Sequence, residues 1–420
     1  LRVLVLLLGI AGWGLAATRA DPIRSFPLWI LGVGVATAAW LLAARAIRRG
    51  VGFPFVVVAA GAILVRAVAL VPEPLSDDLY RYLWDGRVAN AGVDPFLHAP
   101  DADELAALRD PEVWPRINHP EIPTIYPPAA QVLFRAQDRW WPRPIGVRVW
   151  MLTADLAAFG LVAWLLRKSG RDPALAVWHG WCPLAVWESA GSGHVDAAGV
   201  ALVLAALACG TTRGRSVLAG ALFGLSAQVK PMSPFLAPML WREKRSRWPM
   251  LAGAVVSLVL FLPHLGVGTR VWTGFLAYAE HWHFNDCFYS FLVRGGVGPR
   301  TARAVLAVAL TGTAILVPRR AGDPMAVTGI VFGAVLFFSP TVHPWYAVWL
   351  VPFLVFLPPP IRRVAVALVA LLPLSYVVYW QQSRTGVWHE PAWLWLVVWG
   401  PVSALGAWGA LVARFGRSAR

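Results

Sequence analysis

Apolar runs long enough to cross a membrane recur along this chain so often that little room is left for anything else. A hydrocarbon core about 30 Å thick requires roughly 17–25 residues of helix. Blocks of that size begin near Leu1, Pro27, Phe53, Gly146, Pro173, Ala197, Ser216, Trp248, Thr301, Pro324, Trp345, Ile361 and Ala392. Lipid offers backbone groups no partners, so such blocks must be helical. The chain has 420 residues, 58% of them hydrophobic and only 14% charged, and a soluble fold could not hide that much apolar side chain. The expected fold is an all-α polytopic membrane protein with about 12–14 membrane segments. Its 24 tryptophans suit interfacial belts. A net charge of +15 would suggest nucleic acid in a soluble protein. In a membrane protein the placement of the charge matters more than its sum, and no nucleic-acid partner is implied. The three cysteines, Cys182, Cys209 and Cys287, have no metal-type spacing and imply neither a disulfide framework nor a zinc site.

Basic residues collect in the turns between blocks. Arg45, Arg48 and Arg49 follow the second block, Arg167, Lys168 and Arg171 the fourth, and Arg213 and Arg215 the sixth. Further clusters are Arg242, Lys244, Arg245 and Arg247, then Arg319 and Arg320, then Arg362 and Arg363, and finally Arg414, Arg417 and Arg420. Only the acids Asp172, Glu243 and Asp323 accompany them. An excess of Lys and Arg marks cytoplasmic loops, so these turns are placed on one side with the N-terminus. Arg2, the apolar run after it and "ATRA" have the outline of a signal peptide. The next span follows at once, and the charge alternation works with the first span retained. One segment breaks that alternation. "SVLAGALFGLSAQVKPMSPFLAPML" reads as a single span, yet a single span would invert every later loop. A hairpin of two half-helices broken at Lys230-Pro231 restores the order, since proline disrupts a helix interior and broken helices persist where they line a cavity.

The other face then receives everything polar. The chain is read as one integral-membrane domain, 1–420, with a large extracytoplasmic loop at 72–145 that carries short amphipathic helices on the membrane surface. In "SDDLYRYLWDGRV" (76–88), Ser76 is placed to cap a helix with Asp77 and Asp78 in its first turn. Asp78, Tyr82 and Asp85 then share a face, and Asp77 reaches Arg81. A capped interfacial helix, a metal pair, and a general base supported by its neighbour all fit these residues. Asn118 and His119 suit either a sugar hydroxyl or a turn. Tyr126, ahead of two prolines, is held extended and displays a ring for stacking on a sugar or for pinning the loop. Lys230 at membrane depth is expected to meet an anion or an acid. His194 and Asp196 stand at a helix start, as caps or as cavity wall, and Asn285 and Asp286 are read the same way. His343 in "SPTVHPWY" is either a hydrogen-bonded structural histidine or a contact for phosphate or hydroxyl.

Taken together, "SDDLYRYLWDGRV…GVDPF", "INHPEIPTIYPP", "SGHVDAAGVALVLAALA", "GLSAQVKPMSPFLAPM" and "SPTVHPWYAVWLVPF" resemble bacterial integral-membrane glycosyltransferases of the GT-C superfamily, in the mannosyltransferase-like branch that uses polyprenyl-phosphate sugars. The resemblance implies a GT-C-like helical bundle in the bacterial cytoplasmic (inner) membrane with its active site facing the periplasm. It implies inverting transfer of a sugar, mannose above others, from a polyprenyl-phosphate donor to a hydroxyl of a glycolipid, glycan or protein. The family's base falls on Asp78 or its neighbour Asp77. The donor phosphate falls to Lys230 and His343, with Arg81 as a further cation. Tyr82, Asp85, Asn118, His119, Tyr126, His194, Asp196, Asn285 and Asp286 complete the candidate substrate-binding set. No cofactor is expected, and a divalent ion at Asp77 and Asp78 is not favoured because a monophosphate leaving group needs little charge neutralisation. Asp94-Pro95-Phe96 departs from the Asn-Pro-Tyr of many relatives, and two spans rather than none precede the span before the acidic loop. The runner-up reading is a flippase or transporter of a lipid-linked sugar, with Lys230 on an alternating-access path. A structural partner in envelope assembly is a third, and it leaves Lys230 unexplained.

Overall fold

The computed structural model describes residues 1–210, 216–242, 247–320 and 322–418, with side chains up to residue 407 apart from residue 242. The basic residues Arg213, Arg215, Lys244, Arg245 and Arg420, and the acid Glu243, lie outside the described residues. Among the described residues the regular structure is helical, with one isolated bridge between Phe284 and Thr341. Among the described residues, five helical stretches are long and apolar enough to cross a membrane: Phe26–Arg48, Pro144–Lys168, Trp248–His281, Pro299–Arg320 and Pro359–Thr385. The pair Pro183–Gly191 and Asp196–Gly210 meets the same test across a 116° break. Shorter apolar helices cover Arg2–Ala16, Phe55–Ala69, Ser216–Val229, Pro324–Phe338 and Ala392–Ala407. Large apolar side chains point outward at helical spacing, as with Val3, Leu7 and Ile10, or Leu251, Val255 and Leu258. The helix Trp248–Phe261 buries none of its residues. Surfaces this apolar are stable in hydrocarbon and unstable in water. The protein is an all-α, multi-pass membrane protein.

Local sequence explains many of the helix boundaries. Proline opens the helices that begin at Pro128, Pro144, Pro299, Pro324 and Pro359, where its missing N–H is not needed. The Asp323 carboxylate accepts the Met325 amide at 3.0 Å and caps the helix Pro324–Phe338. Arg48, Arg167, Lys168, Arg319 and Arg320 occupy last turns, where a cation complements the helix dipole.

The chain folds as two compact units. The first comprises Leu1–Pro72, Val162–Val186 and His283–Arg420. Its two N-terminal helices, Arg2–Ala16 and Phe26–Arg48, cross so closely that a Cβ on Gly12 would strike the Ala36 backbone. Fully buried Arg66 donates to the Ala62 and Gly180 carbonyls at 2.9 and 2.8 Å, which lets a guanidinium sit in an apolar helix. The Trp40 and Trp181 indoles donate to the Val177 and Val58 carbonyls at 3.1 and 2.8 Å and tie the same segment to both neighbouring helices.

The second unit comprises Glu73–Leu161 and Trp187–Trp282. Its core gathers Leu79, Leu83, Trp84, Phe134, Met151, Val195 and Val229. The helices Asp78–Asn90 and Pro128–Trp140 meet at Gly86, where a Cβ would collide with the Phe134 carbonyl. The helix Ser216–Val229 ends one residue before Lys230-Pro231, as the proline requires. The chain then turns back, and the Ser233 hydroxyl donates to the Phe223 carbonyl, ten residues earlier, at 3.2 Å. A continuous helix would hold those residues about 15 Å apart. The half-helix break at Lys230 is therefore present.

Candidate active site

The site grows from the start of the helix Asp78–Asn90. Asp77 occupies the cap position, one residue later than the sequence suggested, while the Ser76 hydroxyl accepts the Asp78 amide at 3.3 Å. Leu79 and Leu83 enter the core, which fixes the helix and leaves Asp78 at its edge with 15% of its side chain exposed. Asp77 beside it is exposed. Asn118 donates to Asp78 Oδ1 at 2.8 Å, and the Tyr126 hydroxyl lies 3.5 Å from Oδ2. Burial pushes the Asp78 carboxyl up to about 6, and the neighbouring Asp77 charge adds to that rise. The Asn118 hydrogen bond and the Lys230 charge oppose it.

The loop over Asp78 is held by a buried polar network. Arg81 pairs with Asp85 at 2.8 Å, one turn forward, in place of the expected pairing with Asp77. Its guanidinium also donates to the Ile122 carbonyl at 3.0 Å. The Gln131 amide donates to Asp85, to the Thr124 hydroxyl and to the Tyr126 carbonyl, at 3.2, 2.8 and 3.3 Å. Arg81 and Asp85 thus fix residues 122–126. Tyr126 stands edge-on to Tyr82 at 5.1 Å, and Tyr82 stacks on Phe134 at 4.5 Å, so both tyrosines are packed as walls. His119 turns away from Asp78. It has a positive φ of 48°, pairs with Glu121 at 3.3 Å and lies edge-on to Trp282. Of the Asn118–His119 pair, only Asn118 bonds to the acid.

The turn 187–196 faces Asp78 from below. A π-helical stretch, Trp187–Gly191, closes with the Ser192 amide on the Trp187 carbonyl at 2.8 Å. Gly193 then takes a φ of +76°, a conformation glycine adopts at no steric cost. This wide turn brings Glu188 and His194 together, with His194 Nδ1 3.0 Å from Glu188 Oε2 and both side chains 1% exposed. His194 Nε2 lies 3.9 Å from Asp78 Oδ2. The Leu75 amide donates to the Ser192 hydroxyl at 3.3 Å and binds the turn to the segment that enters the Asp78 helix. Asp196 opens the helix Asp196–Gly210, and both its oxygens accept Lys230 Nζ at 2.8 Å. The acid partner expected for Lys230 is Asp196, and neighbouring Val195 and Val229 lock the pair to the core.

The first unit holds the remaining candidates. The His343 ring is sandwiched between Trp345 at 4.3 Å and Phe284 at 4.8 Å, and its Nδ1 is 3.0 Å from the Tyr379 hydroxyl. Asn285, at a φ of +44°, donates its amide to Glu390 at 2.8 Å, and its carbonyl accepts the Trp399 indole at 2.9 Å. Asp286 accepts the Ser290 amide and hydroxyl at 2.7 and 2.6 Å, two residues ahead of the Phe288 cap position of the short helix Tyr289–Arg294.

Sequence reasoning missed Glu188. An acid six residues before a histidine, inside an apolar block broken by Ser-Gly, was the available signal. Among the described residues no group of three or more His, Cys, Asp or Glu side chains could hold a metal ion.

Within a multi-pass helical membrane protein, the site thus gathers Asp78 with a raised carboxyl, an Asn118 hydrogen bond to it, and the charge of Lys230 at the break of a helix. The chain belongs to the family described as "Alpha-(1->6)-mannopyranosyltransferase, N-terminal domain", which matches residues 7–242, more than half of its length. Alpha-(1->6)-mannopyranosyltransferase A of Mycobacterium tuberculosis is 26% identical over 438 aligned positions, covering 93% of this chain and 81% of that protein. No solved structure matches. The protein is a glycosyltransferase, and the transporter reading gives way to an enzyme.

Proposed function

We propose that the protein transfers mannose from a polyprenyl-phosphate donor to a hydroxyl of a mannose-containing acceptor, forming an α-(1→6) linkage, with Asp78 as general base. The mannosyl specificity and linkage follow the family and the mycobacterial relative. The donor class follows the motif resemblance. The observation that carries the reading is the state of Asp78. A carboxyl raised to about 6 is ionised at neutral pH yet far more basic than an ordinary aspartate. A base near the working pH combines the right protonation state with the strongest pull on a hydroxyl proton. The acceptor oxygen attacks the anomeric carbon, its proton passes to Asp78, and polyprenyl phosphate departs with the bonding pair. Lys230, 16% exposed and fixed by Asp196, supplies positive charge to that departing phosphate. Asn118 and Tyr126 orient Asp78, and Tyr82 backs Tyr126. Arg81 serves by holding the loop, and His343 enters through the resemblance alone.

The basic turns support a cytoplasmic N-terminus and an extracytoplasmic Asp78. Lipid donor then arrives through the bilayer and acceptor from the aqueous side. The test is to incubate the purified protein with a panel of polyprenyl-phosphate sugars and measure which donor is consumed, with and without an α-mannoside acceptor. Asp78→Asn is expected to abolish transfer while the protein remains inserted and folded. Transfer from a nucleotide sugar in place of the lipid donor, or full activity in Asp78→Asn, contradicts the reading.

A further inference from the structure

The geometry points to a role for the Glu188–His194 pair that no comparison assigns: we propose that it is a proton relay behind Asp78. The inference rests on Asp78 being the base. Glu188 and His194 sit at the two ends of the π-helical turn, six residues apart, in a segment otherwise built of apolar and small side chains. Burying an acid and a histidine there at 1% exposure is costly unless each gives the other a hydrogen-bond partner. Two acceptors face His194 Nδ1, the Glu188 carboxylate at 3.0 Å and the Glu188 carbonyl at 3.2 Å. They hold the ring proton on Nδ1, so the neutral ring presents a lone pair on Nε2. That nitrogen faces Asp78 Oδ2 at 3.9 Å. Catalytic hydrogen bonds are often long before substrate binds and tighten in the reactive complex.

The acceptor oxygen forms its bond to the anomeric carbon while the bond from that carbon to the phosphate oxygen breaks, the electron pair leaving with polyprenyl phosphate. The acceptor proton moves to the ionised Asp78 carboxylate, and that same proton then passes from Asp78 to His194 Nε2, one proton in two hops that leave Asp78 ionised again. The resulting imidazolium is stabilised by the Glu188 carboxylate, and its proton passes to water when the products leave. The other charged groups around the turn are already engaged. Lys230 and Asp196 pair with each other, Asp155 accepts from Ser189 at 2.9 Å, and Arg148 donates to the Ala190 carbonyl at 3.0 Å. Asp78 is the acid that the ring's second nitrogen faces at the rim of the site. Glu188 and His194 are positioning residues that act through it.

The experiment measures transfer from polyprenyl-phosphate mannose, in light and in heavy water, by wild type, Glu188→Gln, Glu188→Asp and His194→Gln. Relay action predicts that both Gln variants lose about 10- to 100-fold in rate, with donor KM within about twofold of wild type. In heavy water the wild-type rate is expected to fall, because the acceptor proton is in flight as the sugar transfers, and Glu188→Asp, which keeps the carboxylate, is expected to keep more of the rate than Glu188→Gln. A wild-type rate unchanged in heavy water overturns the relay even if no variant folds. So does a Gln variant with a normal rate, or one whose rate loss follows its loss of thermal stability with KM rising in step. Asp78→Asn separates the two levels. If it is fully active, the base reading falls and the relay with it. If it is inactive while the Glu188 and His194 variants are normal, only the relay falls.

Discussion

Lys230 grips both carboxylate oxygens of Asp196 at 2.8 Å, and Asp196 is wholly buried. Removing one partner of such a pair leaves an uncompensated buried charge. Lys230→Met is therefore expected to lose about 3–5 kcal/mol of stability. The double variant Lys230→Met/Asp196→Asn removes both charges and should recover most of that loss in thermal unfolding. It should not recover donor affinity if the third ammonium hydrogen serves the donor phosphate. A normal donor KM in the double variant would confine Lys230 to the fold.

Asp78 is expected to trade stability for activity. Its carboxyl rises in the fold from 3.8 to about 6, so the folded state holds the proton more tightly than the unfolded chain. Stability then declines as pH climbs from about 4 to 6, and above that range the penalty is complete, on the order of 3 kcal/mol. Asp78→Asn removes the penalty and should melt higher than wild type at pH 7.5 while transferring no sugar. A variant that melts lower would mean the ionised carboxylate is better accommodated than its burial implies.

The pH profile of kcat/KM should rise through an acid limb near 6 as Asp78 ionises. Two neighbours shift that limb in opposite directions. Asn118→Ala deletes a hydrogen bond that favours the charged form, and the limb moves up. Asp77→Asn deletes a like charge, and the limb moves down. A limb that ignores both substitutions belongs to another group.

Much of this arrangement was legible in the sequence because membrane segments obey harsh rules. Length and apolarity marked the helical class, and the Lys230-Pro231 break lay where proline forces it. Asp78, Asn118, Asp196 and Lys230 stood out as polar groups where apolar ones were expected. The pairings did not. Arg81 had acids available in both directions, and the sequence spacing alone could not rank Asp77 against Asp85. Glu188 was hidden because the π-helical turn that brings it to His194 depends on an irregular backbone rather than on a repeating period.

Chelation should leave activity intact. Asp77 and Asp78 differ in exposure, and Asp78 spends one oxygen on Asn118. Full loss of transfer in EDTA, restored by magnesium or manganese, would instead assign the two acids to a metal.

Arg81 offers the sharpest separation between binding and architecture. Its side chain is 7% exposed and is held by Asp85 and by the Ile122 carbonyl. A guanidinium so engaged has a planar, two-directional geometry that lysine cannot reproduce. Arg81→Lys should then loosen residues 122–126, since the link to Ile122 is lost while Asp85 keeps a counter-charge. The expected result is a lower melting temperature and a fall in transfer rate, because Tyr126 no longer holds its place beside Asp78, with donor KM unchanged. If Arg81 instead contacts the donor phosphate, the same variant keeps its melting temperature and raises donor KM several-fold. Measuring both quantities on one preparation decides between the two roles, because each predicts a change in the quantity the other leaves alone.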